Sequence, residues 1–312
     1  MSKFYYKTHN LEFDISEFIE HTEECPICKC SDRTVTTRLS STPFAYYHCN
    51  NCSGVSASHY LTEAASKRLF ESYYLKHKLH RESQGVTHHN VALLAAHISS
   101  YLSFGKSHIY ILDFGGGSGL ISYEIALILL KKGMAQKVDI HIVDINDEQV
   151  VACDNDNITI NKYAALGDIL QLREHGKYDL VIASAVLEHV YFAHDLIAEL
   201  FRSICINGYI YIRTPYLIPL YKFLKRFGVE IDLQFPDHVH DFSKAFFEKL
   251  PGTMKCESLE IIASRPSLFE NSFRKHFMNA LISRIIRFPY HFNHRYPFVG
   301  SWEVVYKNTG SA

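Results

Sequence analysis

His108-Ile-Tyr-Ile-Leu-Asp113-Phe-Gly115-Gly-Gly117-Ser-Gly119 is the stretch on which the fold turns. An apolar run ends in an acid, glycines follow at once, and an apolar helical segment continues to about Lys132. A strand that feeds a glycine turn and then a helix brings backbone N–H groups close to a ligand and aims them at negative charge. The spacing is not that of a dinucleotide loop. Counted from Gly115 the third glycine position holds Leu120, and counted from Gly117 it holds Ser122. Outward from this stretch the pattern alternates. Val138–Asp144 is a second strand ending in an acid, and Tyr163–Leu166 a short third one ahead of Gly167-Asp168. Tyr178–Ser184, a helix over Phe192–Ser203 and Gly208–Thr214 come next, with Met254–Ser264 and Ser301–Lys307 as closing strands. The alternation predicts an α/β fold, a Rossmann-like doubly wound sheet covered by helices. Upstream, Val91, Leu94, Ala95, Ile98 and Leu102 recur at helical spacing.

Five of the eight cysteines fall between residues 25 and 52. Cys25-Pro-Ile-Cys28 and Cys49-Asn-Asn-Cys52 are two tight turns, each able to bring two thiolates to one ion. Together they match a closed tetrahedral S₄ site of the kind zinc takes in structural positions. Thr34–Arg38 and Phe44–Tyr47 read as the hairpin between them, so the module resembles a zinc ribbon. A closed site stabilises and does not catalyse. The expected organisation is a ribbon over 1–60, a helical lead-in over 61–104 and a catalytic domain over 105–312, with an acceptor-site insertion near 216–242.

The glycine stretch resembles motif I of the class I S-adenosylmethionine-dependent methyltransferases, an acid followed by alternating glycines. The resemblance spans about 105–265 and continues in family order. Asp144 stands where the family holds the ribose hydroxyls, Gly167-Asp168 at the turn whose acid meets the adenine, and Asn207-Gly208 at the turn into the fifth strand. Ser184-Ala-Val-Leu-Glu188-His189 looks like the signature of the small-molecule members. The resemblance therefore implies that Asp113, Gly115, Gly117, Gly119, Asp144, Ile145, Gly167, Asp168 and Ser184 bind S-adenosylmethionine.

Methyl transfer from a sulfonium is an in-line displacement, and an acceptor hydroxyl or carbon acid also needs a base. Glu188 and His189 follow a strand's carboxyl end, where doubly wound folds place ligands. His189, titrating near neutrality, is the expected base, and Glu188 the group that orients an acceptor hydroxyl. Asp237-His238-Val-His240-Asp241-Phe242-Ser243 resembles another family segment near the acceptor; its histidines are read as solvated loop residues. Residues 273–288 read as a basic amphipathic helix, able to touch a membrane surface but more simply packed on the domain.

Composition narrows the acceptor. The chain has 312 residues, 47% hydrophobic and 21% charged, with net charge −1, so it carries no general electrostatic grip on nucleic acid. Residues 1–60 hold five Lys/Arg against seven Asp/Glu, whereas a ribbon that grips RNA should be basic. The combination resembles bacterial sugar methyltransferases acting on nucleotide-linked sugars or surface-glycan precursors, by O- or C-methylation. The alternatives are a ribosomal-RNA methyltransferase and a non-catalytic protein that only binds S-adenosylmethionine. Acids over Met1–Phe18 do not suit a signal peptide, and Ile125–Leu130 is too short to span a bilayer, so a cytoplasmic location is expected.

Overall fold

Strands buried on both faces need apolar side chains at every position, and the central runs supply them. In the computed structural model, β8 (His108–Phe114), β9 (Lys137–Val143), β10 (Ile158–Tyr163), β11 (Tyr178–Ser184) and β12 (Ile204–Tyr216) form a parallel set. Two further strands, β14 (Leu259–Pro266) and β15 (Gly300–Asn308), complete a seven-stranded sheet of order β10-β9-β8-β11-β12-β15-β14. β15 runs antiparallel to both neighbours. The chain leaves β8 toward β9 on one side and later returns to β11 on the other. A cleft therefore opens at the carboxyl end of β8, the switch point at which doubly wound sheets bind ligands. The structure describes residues 3–6, 10–40, 42–79, 88–145, 149–166, 176–267, 281, 284–285, 287–294 and 296–310, with backbone alone for 73–79 and 88–90.

Helices cover both faces. On one, α2 (His88–Ser99) and α3 (Leu120–Lys131) bury Leu94, Ile98, Ile125 and Leu129 against Ile111, Ile140 and Tyr211. On the other, α4 (Ala193–Ser203) and α6 (Lys244–Thr253) bury Ile197, Leu200, Phe246 and Leu250 against Val181, Ile210 and Val304. Each such aliphatic side chain contributes ~1.5–3 kcal/mol on full burial. α1 (Glu63–Leu79) leads in from the N-terminal module, and α5 (Ile218–Lys225) opens the insertion after β12.

The N-terminal module is sewn to that insertion. Two small pairings, β1 (Lys3–Tyr6) with β2 (Leu11–Asp14) and β3 (Phe18–Glu20) with β7 (His59–Leu61), frame it. The expected hairpin is β4 (Arg33–Arg38) and β5 (Ala45–Cys49), followed by β6 (Val55–Ala57). A fourth strand, β13 (His240–Asp241), arrives from the insertion and pairs antiparallel with β6, His240 opposite Ser56. Cys25, Ile27, Cys49 and Cys52 share one core with Phe242, Phe246 and Phe247. Phe4, Phe18 and Phe44 close round Phe235 of the insertion.

Several sequence boundaries move. The third strand is Ile158–Tyr163 and ends where Tyr163–Leu166 was expected to begin. β14 starts at Leu259, because α6, N-capped by Ser243, runs to Thr253. Most of segment 273–288, expected as a basic helix, lies outside the described residues. Among the described residues no helix is long and apolar enough to cross a membrane.

Candidate cofactor and acceptor site

The glycine loop sits at the switch point and its backbone explains its composition. Gly115 (φ 70°) donates its N–H to Val143 O at 2.8 Å, and a Cβ there would lie 2.7 Å from Val186 Cγ2. Gly119 (φ 78°) caps α3, and a Cβ there would lie 2.3 Å from Ile142 Cδ1. Only glycine accepts both the left-handed backbone and the contact. Gly119, as N-cap, offers α3 no side chain. Asp144 Oδ2 accepts the Gly117 N–H at 2.7 Å, and Lys162 Nζ donates to Gly117 O at 2.9 Å. The loop is thus held from both sides.

Asp113 faces back into the fold. It is 2% exposed and accepts the Ser122 hydroxyl at 2.7 Å. Burial pushes its carboxyl up to about 6; Ser122 opposes the shift and Asp144 adds to it. The Ser122 contact ties the end of β8 to the first turn of α3. Ile145, 66% exposed, presents an apolar side chain beside Asp144. Ser184 ends β11 and accepts a hydrogen bond from Arg213 Nε at 3.1 Å. Gly167 and Asp168 lie outside the described residues.

β11 runs out through Ala185 (φ 58°) into a 3₁₀ turn, Leu187–His189. The insertion closes onto this turn, with Val239 N–H donating to Glu188 O at 2.8 Å. Glu188 is 1% exposed and its Oε2 has no hydrogen-bond partner. Burial raises its carboxyl pKa, against the pull of His189 and Arg213. His189 donates its Nδ1–H to Asp237, 2.9 Å to Oδ1 and 3.0 Å to the carbonyl. Burial alone would lower the imidazole, but the Asp237 and Glu188 carboxylates carry it up to about 9. The near-neutral titration expected for His189 is therefore displaced upward. His238 stacks edge-on against it at 4.8 Å between centroids, and its buried Nδ1 has no partner. Burial and the His189 charge push His238 down to about 3. Two touching imidazoles thus take opposite charge states at neutral pH. One donor atom each of Glu188, His189 and His238 lie within 4.8 Å of one another, a grouping that can hold a metal ion.

The two insertion histidines are not solvated. His240 is buried, with its ring between Ser56 Oγ (2.9 Å) and the carbonyls of Val190 and Tyr191 (2.9 Å each). Burial holds it neutral, at about 4, and its bonds clamp the N-terminal module to the chain just after the Leu187–His189 turn. Tyr46 of β5 donates to His238 O at 2.8 Å and Tyr191 to Ala57 O at 2.8 Å, bracing the same place. A small cleft beside His238 is lined by Tyr46, Pro215, Leu233 and Asp241. Asp237 and Arg213, which set the charge around Glu188 and His189, had no role in the sequence reading. Asp237 stood in a histidine-rich run and Arg213 at the end of an apolar strand, and neither position shows its partner.

The four cysteines converge. Cys25 and Cys52 Sγ are 3.7 Å apart, Cys28 and Cys49 Sγ 3.4 Å, and all four lie within 4.8 Å. Zn–S bonds of about 2.3 Å in a tetrahedron give S···S edges of roughly 3.8 Å. Mutual hydrogen bonding drives the Cys28 thiol down and Cys25 up to about 12, so four thiolates here need a cation among them.

A family model described as a methyltransferase domain matches residues 105–262. That is half of the chain. The chain belongs to this family. It is an S-adenosylmethionine-dependent methyltransferase of class I, and the match covers the glycine loop, Asp144 and the Glu188 turn. Solved structures similar to this methyltransferase include a SAM-dependent methyltransferase from Archaeoglobus fulgidus, at 19% identity over 75% of this chain and 99% of that one, TM-score 0.41. Another is the plantazolicin methyltransferase BamL, at 13% identity over 77% and 91%, TM-score 0.46. No curated protein sequence matches the methyltransferase. The site fits the cofactor on its own terms. The left-handed glycines let the loop turn tightly against Val186 and Ile142, no side chain caps α3, and Asp144 stands at the second strand's end.

Proposed function

We propose that this methyltransferase methylates a hydroxyl of a small sugar-containing acceptor, such as a nucleotide sugar or surface-glycan precursor, with His189 as base. The carrying observation is the Asp237–His189 pair beside Glu188, whose Oε2 is buried without a partner. A buried carboxylate oxygen calls for a donor, and a second hydroxyl of the acceptor supplies one. The cofactor, when bound, supplies an electrophilic methyl carbon. Asp237 fixes the imidazole by its Nδ1–H, which leaves Nε2 to take the hydroxyl proton. Glu188 accepts a neighbouring hydroxyl of the same sugar and so fixes the direction of the one that reacts. Gly115, Gly117, Gly119, Asp144, Ile145 and Ser184 would form the cofactor floor, joined by Gly167 and Asp168. The acidic balance over 1–60 supports a small acceptor over RNA. One zinc ion on Cys25, Cys28, Cys49 and Cys52 would make the N-terminal module a structural ribbon.

The test is methyl incorporation from labelled S-adenosylmethionine into a panel of nucleotide sugars and, in parallel, ribosomal RNA. Label in a sugar, lost in His189→Asn, supports the reading. Label in RNA alone contradicts it.

A further inference from the structure

Among the described residues Arg213 is a buried charge without an ion-pair partner. β12 reads Gly208-Tyr-Ile-Tyr-Ile-Arg213, so an apolar strand ends in a guanidinium on the rung opposite Ser184, at the carboxyl edge where the cleft opens. Arg213 is 9% exposed. Its Nε donates to Ser184 Oγ at 3.1 Å, and its Nη1 is buried with no hydrogen-bond partner. The acid beside it across the β12–β15 ladder is Glu303, and that carboxylate is already taken. Its Oε1 accepts from Arg265 Nε at 2.8 Å and pairs with His97 Nε2 at 2.7 Å, while its Oε2 accepts the Tyr211 hydroxyl at 2.9 Å. Glu188 lies near enough to feel the Arg213 charge but forms no ion pair with it. Arginine is not deprotonated in proteins, so this cation cannot escape burial by losing its proton. Breaking or withholding the partner of a buried charge is strongly destabilising, so a guanidinium in this state calls for an anion.

We propose that Arg213 is an anion-binding residue of the ligand site, receiving a carboxylate from a molecule seated at the mouth of the sheet. Ser184 holds the guanidinium by Nε and leaves Nη1 for the ligand. A planar monoanion matches the guanidinium fork. A phosphate dianion suits the place less well, because the Glu188 carboxylate lies close by. The carboxylate has two possible sources. One is the methionyl end of the cofactor; the other is an acidic sugar on the acceptor, and this second source rests on the acceptor reading above.

The test uses Arg213→Met and Arg213→Lys with four defined ligands. S-adenosylhomocysteine carries the methionyl carboxylate and 5′-methylthioadenosine lacks it. UDP-glucuronate and UDP-glucose, titrated into protein saturated with S-adenosylhomocysteine, differ in the same way on the acceptor side. A hydrogen-bonded charge pair is worth roughly 10–100-fold in affinity. A loss of that order in Arg213→Met for S-adenosylhomocysteine, with methylthioadenosine unchanged, assigns the residue to the cofactor. A loss confined to UDP-glucuronate assigns it to the acceptor. Arg213→Lys should recover part of either loss, since it keeps the charge without the fork. The ligand-free melting temperature of Arg213→Met should equal or exceed that of the native chain, because a buried unpaired charge has been removed. The proposal is overturned if carboxylated and uncarboxylated ligands respond alike, including the case in which S-adenosylhomocysteine is unaffected and neither sugar binds. It is overturned equally if Arg213→Met lowers the ligand-free melting temperature while every affinity stays put. Failure of both sugars to bind beside a selective loss of S-adenosylhomocysteine would sink the sugar reading and leave Arg213 assigned.

Discussion

His189 and His238 share a residue type, a neighbourhood and nearly a contact, and differ because only one has a carboxylate on its ring nitrogen. For His189 the folded pKa of about 9 stands above its ordinary 6.5. Its imidazolium therefore stabilises the fold fully below about pH 6.5, and that contribution is lost as pH rises through about 9. Only the neutral ring can accept a proton, so turnover should climb with pH and level off above about 9. His189→Asn should lower turnover by ~10²–10⁴-fold, flatten that rise and leave S-adenosylhomocysteine affinity nearly intact. Full activity in the variant would make this histidine structural. Asp241 offers a cleaner stability test. Its Oδ2 accepts the N–H groups of Leu217 and Ile218 at the start of α5, its Oδ1 has no partner, and burial pushes it up to about 7. Because its folded pKa is raised above 3.8, the stability it contributes is present at low pH and lost as pH rises through about 7. Asp241→Asn keeps an acceptor for the two N–H groups and cannot ionise. It should be more stable than the native chain at pH 8, by up to about 4 kcal/mol, with the gap closing toward pH 4. Urea unfolding at the two pH values checks this; equal gaps at both would refute the burial argument. Glu188 and His189 were legible as a motif, but their charge states were not. Those depend on Asp237, forty-eight positions away, and on burial that no local pattern encodes.

At the scale of elements, the short β13 couples the cysteine module to the Leu187–His189 turn. It pairs with β6, while the residues just before it hold His189 through Asp237 and Glu188 O through Val239. If the four cysteines hold zinc, its loss should therefore disturb more than the N-terminus. Purified protein should contain about one zinc per chain, and Cys49→Ser should lose it, melt earlier and lower turnover as well. Metal-free protein with an unchanged melting curve would contradict the zinc assignment. The paired Cys-x-x-Cys turns and the β4–β5 hairpin could be read in the sequence, because spacing and turn chemistry are local. A two-residue strand arriving from the far end of the chain could not, since it is too short to carry a period. The same limit explains the third strand. Ile158–Tyr163 alternates apolar and polar positions at the sheet's edge, so it lacks the continuous apolar run that marked β8 and β11.

For the whole molecule, strand order and ligand position follow from the same alternation. Parallel strands buried on both faces write themselves as apolar runs, and the glycine loop marks where the first of them ends. The residues around the cleft then divide by task. Asp113 and Lys162 brace the loop, Asp144 accepts the Gly117 N–H, and the insertion with the cysteine module packs on the Leu187–His189 turn; in the proposed reading Asp144 meets the cofactor and the insertion closes the acceptor side. The most direct measurement of this account is calorimetric titration of S-adenosylhomocysteine into the native chain and Asp144→Ala. The account predicts one ligand per chain, with binding weakened in Asp144→Ala by ~1.5–3 kcal/mol, the range of a hydrogen bond to a charged group. Binding of NADH with no response to S-adenosylhomocysteine would contradict it.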